Sequence, residues 1–149
     1  MLSMAIFWAI ELFALGACLF ALVKGGAAER MAAGVIILNV ALGSGAITLF
    51  AADAESFRLV NDGLAAVALL VLAVRYAAPW LGGAMFFYAA QFALHSYFLV
   101  LGLSSNTALH ANINNVNFIS VNVCLIVGTA VTVRRRRRAA EAGAQAPAA

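Results

Sequence analysis

Charge is what this chain has least of. Charged side chains make up 10% of its 149 residues, against 65% hydrophobic ones, and the mean hydropathy is +0.99. A water-soluble domain carries about 25% charged residues to keep its surface solvated. A shortage on this scale excludes an ordinary soluble fold and makes lipid the expected solvent. Proline is nearly missing as well, with two residues. The apolar residues come in long blocks without the short alternating pattern of a transmembrane barrel, so helices are predicted rather than strands. Cysteine is equally scarce. Cys18 and Cys124 are too few for a disulfide framework and have no CxxC or Cys/His spacing around them, so each is expected to pack as a small apolar residue. No nucleophile–base pair, Gly-rich phosphate loop or zinc spacing is found. The sequence therefore points to no cofactor, no metal site and no enzymatic reaction.

What the chain does have is five apolar segments, each near the 20 residues needed to cross roughly 30 Å of hydrocarbon. They cover residues 4–23, 31–52, 57–77, 81–103 and 110–133. Lys24-Gly25-Gly26 ends the first, and Asp53 and Glu55 separate the second from the third. Ala78-Pro79-Trp80 breaks the chain before the fourth, because proline lacks a backbone donor and disfavours helix just ahead of it. The polar stretch Ser104 to Thr107 precedes the fifth. An all-α bundle of five transmembrane helices over residues 1–138 is predicted, with residues 139–149 (AAEAGAQAPAA) as a disordered cytoplasmic tail. The start of the chain is expected to be the first span and not a cleaved signal: no basic residue precedes the apolar run and Glu11 interrupts it.

The basic residues set the orientation. Five of the nine form one block, Arg134, Arg135, Arg136, Arg137 and Arg138. This block lacks the polar and aromatic readers of a nucleic-acid surface, and is predicted to be a membrane-edge anchor that also attracts anionic lipid headgroups. With it in the cytoplasm, alternation of spans places Lys24, Arg30 and Arg75 there too, as the positive-inside rule requires. The N-terminus is then outside and Arg58 is the one exception.

An ionisable side chain at membrane depth is costly and turns toward the bundle interior or a wet cavity. Glu11, Asp62 and His95 meet that description, all in the outer half of the bilayer. Glu11 has only apolar neighbours along its helix and suits either a hydrogen-bonded acid or a proton- or cation-handling group. Asp62, between Asn61 and Gly63, is either a helix N-cap or an interior site. Tyr88, Gln91, His95, Phe98 and Gly102 recur at steps of three and four and form one stripe, with Gln91 and His95 a turn apart. In the last span, Asn115, Asn122 and Thr129 make a seam expected to bond other helices or, alternatively, to line a polar cavity, while Asn112, Asn114 and Asn117 are expected to be wet. His110 is placed about two turns above His95, so the two imidazoles are not expected to share a depth or a haem. Gly34, Asn39, Gly43, Ser44, Gly45 and Ala46 of the second span, with Ala65, Ala66 and Ala73 of the third, mark the expected packed centre.

Glu29-Arg30, Asp62, Arg75, Pro79-Trp80, Gln91 and His95, between Gly25 and His95, resemble a loose group of small uncharacterised bacterial inner-membrane proteins with about five transmembrane helices. The resemblance implies a multi-pass protein of the bacterial inner membrane and implies no activity. Three functions are candidates, in this order: an accessory or scaffold protein whose buried polar groups specify packing, docked on a membrane partner or a second copy; a small proton- or solute-conducting protein using Glu11, His95 and Asp62; and a membrane enzyme or cofactor carrier. The first is the leading expectation.

Overall fold

The computed structural model describes residues 2–49, 54–103 and 107–144. Asp53, the stretch 104–106 and residues 145–149 lie outside them, as does the side chain of Glu55. The described residues form five α-helices: α1 (Leu2–Lys24), α2 (Ala27–Leu49), α3 (Ala54–Tyr76), α4 (Pro79–Val100) and α5 (Ala108–Ala144). Each contains a segment long and apolar enough to cross a membrane.

Local chemistry explains where the helices stop. The α1–α2 turn needs only two residues. Gly25 N–H closes the last turn of α1 on Ala21 O (2.9 Å), and the Glu29 carboxylate reaches back to Gly26 N–H (2.8 Å). That is the returning half of a capping box, with Glu29 at the third helical position. Glu29 and Arg30 thus belong to the first turn of α2 and not to a loop, so α2 begins four residues earlier than expected. α3 ends where Ala77 adopts a left-handed φ of +48° and Ala78 is extended, the conformation that a following proline demands. At the end of α4, Gly102 (φ +59°) donates to Leu99 O and Leu103 N–H to Phe98 O, the two bonds of a Schellman cap. Thr107 Oγ1 accepts His110 N–H (3.3 Å) and caps α5.

α5 differs most from expectation. It continues as helix to Ala144, where a disordered tail from residue 139 is expected. Its 37 residues extend about 55 Å, well beyond the thickness of a hydrocarbon core. The run Arg134–Ala144 is Arg and Ala but for Glu141 and Gly143, and Arg, Ala and Glu are strong helix formers, so a helix already nucleated in the bundle propagates through it. Arg134, Arg135, Arg136, Arg137 and Arg138 are exposed on this extension, and Arg136 reaches back to Lys24 O at 3.4 Å.

The helices form a ring in chain order, closed by α5 against α1, with α2 and α5 also touching across it. The centre is an apolar layer of Ala21, Ala33, Ile36, Leu69, Leu81, Val121 and Leu125. Close approach depends on α4 more than on α2. A side chain at Gly63 would strike Phe92 (3.0 Å), one at Gly83 would strike Cys124 Sγ (3.2 Å), and one at Gly128 would overlap the Trp80 indole. On α2, Gly34 leaves open space, whereas a side chain at Gly43 would touch Asn61 (3.7 Å) and Asn39 is buried; Ala65 and Ala66 of α3 are buried as expected. Only 22–28% of each apolar segment is buried within the bundle, and large side chains such as Leu12, Val74 and Val100 point outward. The apolar exterior leaves the polar residues to the inside and the two ends.

Candidate functional site

The polar interior lies at the end of the ring away from Lys24 and Arg75. Each helix contributes through its own periodicity. On α4, Leu81, Ala84, Tyr88, Gln91, His95 and Phe98 are buried at steps of three and four, so the predicted stripe faces inward; Gly102 falls beyond it, in the cap. On α1, Glu11 follows the same spacing as the buried Ala14, Cys18 and Ala21. Asn61 and Asp62 occur two turns inside α3 and are 8% and 7% exposed, which removes the capping alternative and leaves Asp62 as an interior site. Asn39 brings α2 into the same group.

Hydrogen bonds converge on Asp62 from two directions. Tyr88 OH donates to Asn39 Oδ1 (3.2 Å), and Asn39 Nδ2 donates to Asp62 Oδ1 (3.0 Å). On the other side, His95 Nε2 lies 3.3 Å from Asp62 Oδ2, and His95 Nδ1 lies 3.2 Å from His110 Nε2. A carboxylate accepts only, so Asp62 orients the line: His95 donates through Nε2, its Nδ1 becomes an acceptor, and His110 donates to it through Nε2. The line Asp62–His95–His110 is a continuous route along which a proton can be passed. Asn61 Nδ2 donates to Asn39 O (2.8 Å) and ties α3 to α2 outside that line.

Beside the line is a cavity of about 490 Å³ to which all five helices contribute. Glu11, Arg58, Asp62, Gln91, His95 and Asn115 supply its polar wall, and Phe7, Ile10, Val40 and Phe118 part of its apolar wall. Glu11 also borders an apolar groove of about 220 Å³ between α1 and α2. Among the described residues, neither Glu11 nor Arg58 has a hydrogen-bond or ion-pair partner. Gln91 donates through Nε2 to Asn114 Oδ1 (3.0 Å), but its Oε1 is buried without a partner. Among the described residues, no group of three His, Cys, Asp or Glu side chains is arranged to hold a metal ion.

Of the residues singled out from the sequence, Glu11, Asp62, Gln91, His95 and Asn115 are brought together here. Asn122 is not. It is fully buried two turns further along α5, donates to Phe118 O of its own helix (2.9 Å), and its Oδ1 has no partner. Thr129 likewise bonds Leu125 O (2.8 Å), so these two do not bridge helices as expected. His110 stands against His95 with ring centroids 4.9 Å apart, not two turns above it. The depth count treated every helix as perpendicular to the membrane, which ignores tilt and side-chain reach. Of the asparagines expected to be wet, Asn112 is exposed, whereas Asn117 is buried and Asn114 bonds Gln91. Asn39 and Arg58 were missed as site residues. The available signals were an asparagine alone among apolar residues in α2, and the single basic residue that breaks the charge asymmetry.

Compared with protein-family models, with curated proteins and with solved structures, the chain matches none of them.

Proposed function

We infer that the chain is a multi-pass protein of a bacterial inner membrane, with its N-terminus outside and its arginine-bearing C-terminal helix in the cytoplasm. Its activity is to bind a small polar solute in the outer-half cavity, with a proton handled by the Asp62–His95–His110 line. The orientation is supported by the separation of the two ends: Lys24, Arg30, Arg75 and the five-arginine block are at one, and the cavity is at the other.

The observation that carries this reading is the Asp62–His95–His110 line beside a 490 Å³ cavity that Glu11 enters without a partner. Packing alone explains polar groups that consume one another's bonds; it does not explain a carboxylate kept in reserve at membrane depth. Ile36, Leu69, Leu81 and Leu125 belong to the buried apolar core on the Lys24 side of the polar group, which favours a one-sided binding site over an open pore. Passage to the cytoplasm requires a second conformation.

Purified protein in liposomes, with a pH-sensitive dye inside and an imposed pH gradient, tests this directly. Wild type is expected to dissipate the gradient faster than empty liposomes, with His95→Ala and Glu11→Gln slowed toward the empty control. Equal dissipation in wild type, His95→Ala and empty liposomes would overturn the proton-handling part of this reading. The accessory or scaffold reading is favoured by a separate observation, the bonds of Asn39, Asn61 and Tyr88 that tie α2, α3 and α4. On that reading the protein co-purifies with a larger complex in mild detergent, and Glu11→Gln alters assembly with no proton movement to lose.

A further inference from the structure

Glu11 and Arg58 line one cavity, carry opposite charges, and are not joined by an ion pair. Unpaired charges within apolar spans are expensive, and among the described residues the simplest relief, pairing with each other, has not been taken. Arg58 is also the one basic residue at the outer end, so topology gives no reason for it. Asp62 is not paired with Arg58 either: its two oxygens face Asn39 Nδ2 and His95 Nε2.

We propose that the cavity is a site for a small zwitterion of the amino-acid class, its carboxylate on Arg58 and its N–H-bearing ammonium on Glu11. The proposal rests on the cavity being the binding site argued above and adds the chemical class of the solute. A guanidinium presents a planar fork that matches a carboxylate. A simple anion would satisfy Arg58 and leave Glu11 repelling it; a simple cation would do the reverse. A primary or secondary ammonium gives the Glu11 carboxylate a charge-assisted N–H bond that a quaternary one lacks. The volume lies within the roughly 300–1,000 Å³ usual for small-molecule sites. Phe7, Ile10, Val40 and Phe118 offer an apolar wall to a side chain.

The test screens purified wild-type protein in mild detergent by thermal shift against the twenty protein amino acids. Calorimetry then compares the best binder with its deaminated acid, its decarboxylated amine and its N-trimethyl betaine. The amino acid is expected to bind at least about tenfold more tightly than each of the three. Loss of a charge-assisted bond by Arg58→Gln or Glu11→Gln is expected to weaken it roughly tenfold to a hundredfold, with Arg58→Lys recovering part. If no amino acid binds, or if the deaminated acid or the amine binds as tightly as the amino acid, the proposal is overturned. The wild-type comparison decides this even if a variant fails to fold. The liposome gradient is a separate readout: gradient dissipation without amino-acid binding would sink the solute class alone, and amino-acid binding without dissipation would sink the proton-handling reading alone.

Discussion

Asp62→Asn is the perturbation that probes the site most sharply, because it keeps the shape of the side chain and reverses one hydrogen-bonding position. In the wild type, Asp62 accepts from Asn39 Nδ2 at 3.0 Å and faces His95 Nε2 at 3.3 Å. An asparagine can still accept from Asn39 through its oxygen, but its amide then points N–H groups at a ring nitrogen that already carries hydrogen. Leaving two buried donors face to face costs about 1–3 kcal/mol. Which imidazole nitrogen holds the proton is set by what its partners accept, so the ring is expected to move its hydrogen from Nε2 to Nδ1. His110 Nε2, 3.2 Å away, must then accept instead of donate. At about 2 kcal/mol the new tautomer outnumbers the old by roughly thirtyfold, since 1.4 kcal/mol is a factor of ten. The remaining cost is the exchange of two charge-assisted bonds for neutral ones, about 1–2 kcal/mol of bundle stability given how modest such bonds are in membranes. Nitrogen-15 NMR of labelled imidazoles in detergent reads both tautomers, and the assignment is simple because the chain has two histidines. The expected result is a protonated Nε2 on His95 in wild type and a protonated Nδ1 in Asp62→Asn, with helical circular dichroism unchanged. An unchanged His95 spectrum would refute the claim that Asp62 orients the line.

The remaining predictions concern stability. Glu29 is 4% exposed and joins two elements, accepting Gly26 N–H at 2.8 Å and Thr132 Oγ1 at 2.7 Å; Glu29→Ala is expected to cost about 2–3 kcal/mol in thermal or denaturant unfolding, and Glu29→Gln less. A loss below 0.5 kcal/mol would show that this clasp is ornamental. Gly128→Leu drives a side chain into the Trp80 indole and is expected to cost about 1–3 kcal/mol or to prevent folding, with Gly128→Ala milder; a stable Leu variant with native Trp fluorescence would contradict the packing of α4 on α5. Asn122→Leu removes a buried amide whose Oδ1 has no partner and whose Nδ2 only bonds its own helix; unfolding should show no loss, or a gain of up to about 1 kcal/mol. A loss greater than 1 kcal/mol would mean that Asn122 holds another helix after all.

The fate of Asn122 shows how far a helical pattern reaches. The seven-residue spacing of Asn115, Asn122 and Thr129 correctly placed Asn122 and Thr129 on a buried face of α5. It could not tell whether a side chain on that face bonds across or back, because the carbonyl four residues earlier is always within reach of a short polar side chain. His110 makes the same point in reverse. Counted along straight, upright helices it is too far from His95, yet the rings are in contact. The α4 stripe was legible because burial there follows one helix's own period, and Asp62 became unambiguous only when α3 was seen to begin at Ala54.

Composition, apolar length and the position of the basic residues are sums along the chain, so they determined the five helices and the asymmetry of their ends without any knowledge of packing. Local bonding also determined most helix ends, since a proline or a returning glutamate acts within one turn. Tertiary structure alone decided that Asn39, Asp62, His95 and His110 form one network, and that Glu11 and Arg58 are left to face a shared space. Those contacts join residues from all five helices, and their existence depends on rotation and tilt. These two quantities are set by the fit of residues such as Gly63 against Phe92 and Gly128 against Trp80, which no single helix specifies.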